Sequence, residues 1–180
     1  MPLVIHVKEA ELFNQANGTF YYTKPCTLIL EHSLVSISKW ESKWHKMYLE
    51  TPKKTTEELI DYIRCMTINK DVPDYVYYAL SQENITDIIK YMEDPMTAST
   101  VNFYGKAGPH EPVSSELIYY WMITFGIPVE FEKWHINRLM MLIKICSKKN
   151  FKPSKADKAA ADRQRAEINR MRCAKLGTRG

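Results

Sequence analysis

Cysteine is scarce and scattered. The four present, Cys26, Cys65, Cys146 and Cys173, show no CxxC or CxH spacing. That excludes a zinc ribbon and a small disulfide scaffold, and leaves free thiols in a reducing cytoplasm as their reading. Glycine is equally thin, six residues in 180. Gly105 and Gly108 form a pair in a loop, but they lack the third glycine and the Lys-Ser/Thr that a phosphate cradle needs. Long apolar runs are missing: the longest, Leu117 to Ile123, falls well short of the roughly 20 residues that span a bilayer. The opening MPLVIHVKE does not follow a basic region with an apolar one, so no secretory signal is expected. Catalytic patterns are absent as well. No Ser or Cys stands in a nucleophile motif with a matching His. The carboxylate pairs Glu57-Glu58, Glu93-Asp94 and Glu130/Glu132 are adjacent or two apart, a spacing that turns them away from each other on a helix. Two Trp-His pairs, Trp44-His45 and Trp134-His135, each have a single carboxylate one turn back, Glu41 and Glu132. One carboxylate and one imidazole are two ligands short of a zinc site, so both histidines read as structural. The expectation is a non-enzymatic protein without cofactor or metal.

What the chain does have is an uneven charge. Lys148 to Gly180 holds eleven Lys/Arg against three Asp/Glu, a net of +8, whereas the whole chain carries only +4. Residues 1–147 are therefore mildly acidic, at −4. All eleven Tyr and all four Trp precede Lys148, so the acidic part is well supplied for a core and the basic part is not. Segments of the second kind meet polyanions or acidic protein surfaces, or simply keep a protein soluble. Nonspecific contact with nucleic acid phosphates is one possibility, although beyond Phe151 no aromatic is interleaved to stack on a base.

The hydrophobic period divides the chain. Residues 1–32 read as an antiparallel β-meander of three or four strands. LVIHV is a β-branched run, Asn17-Gly18 is a turn signal, and Thr27–Glu31 gives a further strand. Pro25 belongs at a strand start, where its missing N–H is tolerated. Residues 33–149 read as a helical body forming one domain with the meander. Leu34, Ile37, Trp40, Trp44 and Tyr48 make one stripe of a helix from Ser33 to Leu49. Thr55-x-x-Glu58 is a capping box in front of Leu59, Ile60, Ile63 and Met66. Val72-Pro73-Asp74 opens a short helix, and Ser81 caps another striped by Ile85, Ile88, Ile89 and Met92. Residues 95–113 are irregular, with two glycines and two prolines between Gly105 and Pro112. A helix from Glu116 to Phe125 is apolar on nearly all sides and is expected to be central or to face a partner. A last body helix, from Phe131 to Lys148, turns Trp134, Leu139, Leu142, Ile143 and Cys146 inward. Residues 150–180 read as a basic helical extension with few large apolar residues, an appendage that orders on binding. The fold class is thus α+β: a small meander, a mainly helical domain, and a C-terminal basic helix.

The side chains expected to meet a partner are Trp40, Trp44, Tyr119, Trp121 and Trp134 in the body, and Arg163, Arg165, Arg170 and Arg172 in the extension. For the aromatic group, core packing competes with a groove suited to an amphipathic helix, to which Met66, Met122, Met140 and Met141 would lend plasticity.

Three segments carry a resemblance. They are Leu30–Glu41 (LEHSLVSISKWE), Lys54–Arg64 (KTTEELIDYIR), and Ser115–Met122 (SELIYYWM) continued by Trp134–Leu139 (WHINRL). In that order, with a basic tail ending LGTRG, the chain resembles a family of small proteins encoded in the tail-gene region of siphophage-like bacteriophages, and the likeness spans nearly its whole length. The resemblance implies a tail assembly chaperone that binds the tape-measure protein or tail tube subunits, or else a virion component at the tail or head-tail junction. It implies the host cytoplasm during assembly as the location, or the virion if the role is structural. It carries no site residues.

Overall fold

The computed structural model describes residues 2–14, 18–101, 111–150 and 155–177. An N-terminal β structure precedes a set of helices, making the chain α+β as its periodicity indicates. Strand β1 (Leu3–Val7) pairs antiparallel with β4 (Cys26–Leu30), and β2 (Ala10–Asn14) with β3 (Thr19–Thr23). Leu3 lies opposite Leu30 and Ala10 opposite Thr23, so both pairs keep one register. The four strands are therefore the two halves of one nested ribbon, interrupted at Lys8-Glu9 and Lys24-Pro25. Pro25 explains the interruption, since it has no N–H to offer a ladder. Beside it Thr23 takes over from the backbone: its Oγ1 accepts from the Ala10 N–H (2.8 Å) and donates to the Ala10 carbonyl (3.1 Å). In the outer half Ile5, Val7, Leu28 and Leu30 alternate into the core. The inner half stands away from it, with Phe13, Phe20 and Tyr22 more than half exposed. Of the expected Asn17-Gly18 turn, Asn17 lies outside the described residues, while Gly18 takes φ +64°, a left-handed conformation glycine adopts without penalty.

Helix α1 (Leu34–Trp44) buries Leu34, Ile37 and Trp40. It stops earlier than its stripe suggests. His45 turns left-handed at φ 52°, and the Glu41 carboxylate then accepts the Tyr48 N–H at 2.8 Å, so Tyr48 is buried from a turn and not from a helix. Helix α2 (Thr56–Met66) starts with the capping box read in the sequence: Thr55 Oγ1 accepts from the Glu58 N–H (3.2 Å) and Glu58 accepts from the Thr55 N–H (2.7 Å). The short helix after Pro73 is a 3-10 segment, Asp74–Ala79. Helix α3 (Gln82–Glu93) is capped by Ser81 and buries Ile88 and Tyr91, while Ile89, expected on the stripe, is 38% exposed. Helix α4 (Ser115–Thr124) is capped by Ser114 and closed by Gly126 at φ +63°.

The sequence places the next helix at Phe131, but α5 begins later (Ile136–Asn150). A 3-10 segment, Val129–Lys133, comes first, and Trp134 is extended. The cause is a long-range pairing: Ser33 and His135 form an antiparallel bridge, and Ile136 donates its N–H to the His32 carbonyl at 2.9 Å. Backbone engaged this way cannot also join the helix. Leu139 and Ile143 are buried as expected; Leu142, Cys146 and Trp134 are only half-buried. Helix α6 (Lys155–Leu176) follows. The expected glycine- and proline-rich turns over 105–110 lie outside the described residues, as do Phe151–Pro153.

Candidate interaction surface

Two buried polar networks set the shape of the body. The first lies between α1 and α2. Asp61 is 3% exposed, and its carboxylate accepts from Lys43 Nζ (2.5 Å), Trp44 Nε1 (2.8 Å) and Arg64 (3.0 Å). Burial alone would raise this carboxyl's pKa; Lys43, Trp44 and Arg64 more than offset that and hold it below the usual range. Glu58, also buried, is held low by Lys46 at 2.6 Å and by the Thr55 N–H. Glu41 accepts from the Tyr48 N–H and from the Ser115 N–H at the start of α4, both at 2.8 Å. These three carboxylates pin α1 to α2, to the turn after α1, and to α4.

The second network takes in His135 but not His45, and joins it to His32, Tyr62 and Tyr91. His45 is exposed at the end of α1. His135 is buried: its Nε2 meets the Tyr91 carbonyl at 3.0 Å, and its Nδ1 accepts from the Asn137 N–H. Its ring lies 5.0 Å from that of His32, whose Nδ1 meets the Tyr62 hydroxyl at 2.5 Å. Burial, helped by the neighbouring His135 and Lys54, lowers the His32 pKa to about 3, and burial lowers that of His135. Both imidazoles are neutral at pH 7. Burial pushes the Tyr62 hydroxyl well above its ordinary value, so it stays protonated. These hydrogen bonds tie His32, Tyr62 and His135 to the fold. Among the described residues, no three His, Cys, Asp or Glu side chains gather as a metal site would require.

Of the residues expected to meet a partner, the structure brings some to the surface and not others. Trp40 is fully buried, its indole N–H donating to the Glu58 carbonyl at 3.0 Å. It is core and presents no face to a partner, which corrects the expectation for it. Trp44 is half-buried and held to Asp61. Trp134 is half-buried between the Phe131 ring, stacked at 3.9 Å, and the Arg138 guanidinium 4.1 Å above it. Tyr119 donates its hydroxyl to Glu132 at 2.9 Å, and burial together with that carboxylate pushes its pKa up to about 12. Trp121 is half-buried. Arg163, Arg165, Arg170 and Arg172 are exposed.

The sequence led us to expect α4 to be central or to face a partner, but it singled out Tyr119 and Trp121 and missed the residues that point outward. Only Ser115, Ile118 and Met122 of this apolar helix are buried. Glu116, Tyr120 and Ile123, spaced at i, i+4 and i+7, share a face turned to solvent, with Tyr120 61% and Ile123 80% exposed. Val129, just past the turn that closes the helix, is 60% exposed, and Glu130 follows it. The signal was present in the sequence as apolar residues on every side of α4. An apolar helix in a chain this size has more sides than the core can cover.

Comparison with protein-family models, with curated proteins and with solved structures finds no match in any of the three. Among the described residues, no helix is long and apolar enough to cross a membrane.

Proposed function

We propose that this chain is a non-enzymatic morphogenesis protein of a bacteriophage tail, an assembly chaperone that covers apolar stretches of the tape-measure protein or of tail tube subunits before they polymerise. The reading rests on the resemblance of Leu30–Glu41, Lys54–Arg64, and Ser115–Met122 with Trp134–Leu139 to the siphophage tail-region family. The observation that supports a binding role is the outward face of α4, where Tyr120 and Ile123 lie open to solvent, Ile123 at 80% being the most exposed large apolar side chain among the described residues. Large exposed apolar side chains grouped on one helix favour a helical client over a small molecule. The exposed basic helix α6 supplies a second, charged point of contact.

Co-expression with the tape-measure protein of the same phage tests this. The tape-measure protein becomes soluble with the wild-type chain and returns to the pellet with Ile123→Glu. Equal solubility with and without the chain defeats the chaperone reading. Mass spectrometry of purified particles separates the runner-up: a chaperone is absent from the finished virion, whereas a structural component at the tail or head-tail junction is retained.

A further inference from the structure

We infer that helix α6 of one copy docks on the outward face of α4 of a second copy, so that the free chain self-associates through a contact sensitive to salt. The contact goes beyond the chaperone reading and requires no phage client.

Each half is unsatisfied on its own. On α4, Glu116, Tyr120 and Ile123 form an exposed row covering about two turns, and Glu130 lies just beyond. The Glu116 carboxyl is held below its ordinary range by the backbone amide and Ser114 hydroxyl at the start of the helix, so it is ionised at pH 7. On α6, Ile168 and Met171 are 42% and 64% exposed, and Lys175 continues the same face one turn on. This is also a row of about two turns, with Arg165 and Arg172 along its border. Among the described residues, Arg165 pairs with Asp162 within α6, and at 3.9 Å with both groups exposed the pair holds neither strongly.

The two rows match in length, in having apolar centres, and in opposite charge at their edges. Neither is covered by the other within one copy, since Ile123 and Met171 are both open. The overall charge agrees, with +8 from Lys148 onward against −4 before it. An acidic body and a basic helix on the same chain attract between copies, and the apolar rows give that attraction a place to settle.

Sedimentation velocity of the nuclease-treated full-length chain tests the inference. The wild type forms a larger species at about 50 mM salt, and its association weakens about tenfold or more at about 500 mM as the ion pairs are screened. Ile123→Glu, and separately Arg165→Glu with Arg172→Glu, leave the chain monomeric at low salt. All three positions are exposed, and circular dichroism confirms that each variant is folded. Adding Glu116→Lys and Glu130→Lys to the arginine reversals restores the larger species. A wild type that is monomeric at both salts overturns the inference, including the case where hydrogen exchange shows α6 protected within one copy. So does association that survives both sets of variants, that is lost on nuclease treatment, or that the reversed charges fail to restore.

Discussion

Lowering the pH from 7 to 5 removes about 2 kcal/mol of stability through His32 alone. The ring is 4% exposed and neutral in the fold, with its pKa lowered to about 3 by burial, then by His135 and Lys54. In the unfolded chain the same ring returns to an ordinary pKa of about 6.5. Below that value the unfolded state takes up a proton that the native state refuses, so stability rises with pH and falls on acidification. The loss starts near pH 6.5, proceeds at about 1.4 kcal/mol per pH unit, and ends near the folded value. His135, shifted in the same direction, adds to it. The carboxylates of Asp61 and Glu58 are shifted low, so their contribution is kept above the ordinary carboxylate range and lost only in stronger acid. The interval between pH 7 and 5 thus isolates the histidines. Urea unfolding followed by tryptophan fluorescence at the two pH values measures the difference directly. His32→Asn, which keeps an acceptor near the Tyr62 hydroxyl, lowers stability at pH 7 but loses about 2 kcal/mol less than wild type on going to pH 5. A wild-type loss below about 0.5 kcal/mol, or an equal loss in the variant, refutes the reasoning.

Within α4, Ile118→Ala costs about 2–4 kcal/mol in chemical denaturation because it empties a fully buried site, whereas Ile123→Ala stays within about 0.5 kcal/mol. Trp44→Phe removes one of the three donors to Asp61 and costs about 1–2 kcal/mol; Asp61→Ala strands all three and costs more, measured the same way. Arg165→Glu with Arg172→Glu moves the melting temperature by no more than about 2 °C in high salt, where scanning calorimetry reads the separated chain.

Much of this architecture was legible because local chemistry agreed with it. Thr55-x-x-Glu58, Ser81 and Gly126 each punctuate a helix where the sequence places the break, and β-branched alternation located the outer strands. The errors at the helix ends have a common physical origin, hydrogen bonds that hydrophobic periodicity does not encode. Helix α1 ends early because Glu41 captures Tyr48, and α5 starts late because His135 pairs with Ser33. The nested pairing of the strands follows from Pro25 interrupting a ribbon whose register resumes unchanged beyond it. The interaction surface was legible only in part. Trp40 looked as available as Trp44 until α2 was seen to cover it, and the open row on α4 could be found only once its buried side was known.

The small bridge between Ser33 and His135 also bears on the order in which the protein assembles. It joins points roughly a hundred residues apart, and closing such a loop opposes the contact by about 4 kcal/mol of chain entropy before any packing repays it. Helices α1 and α2, linked by a short connection and locked by Asp61, face no such barrier. Docking of α5 onto the His32 segment is therefore expected to follow the pairing of α1 with α2, an order that the folding rates of Leu139→Ala and Ile63→Ala would check.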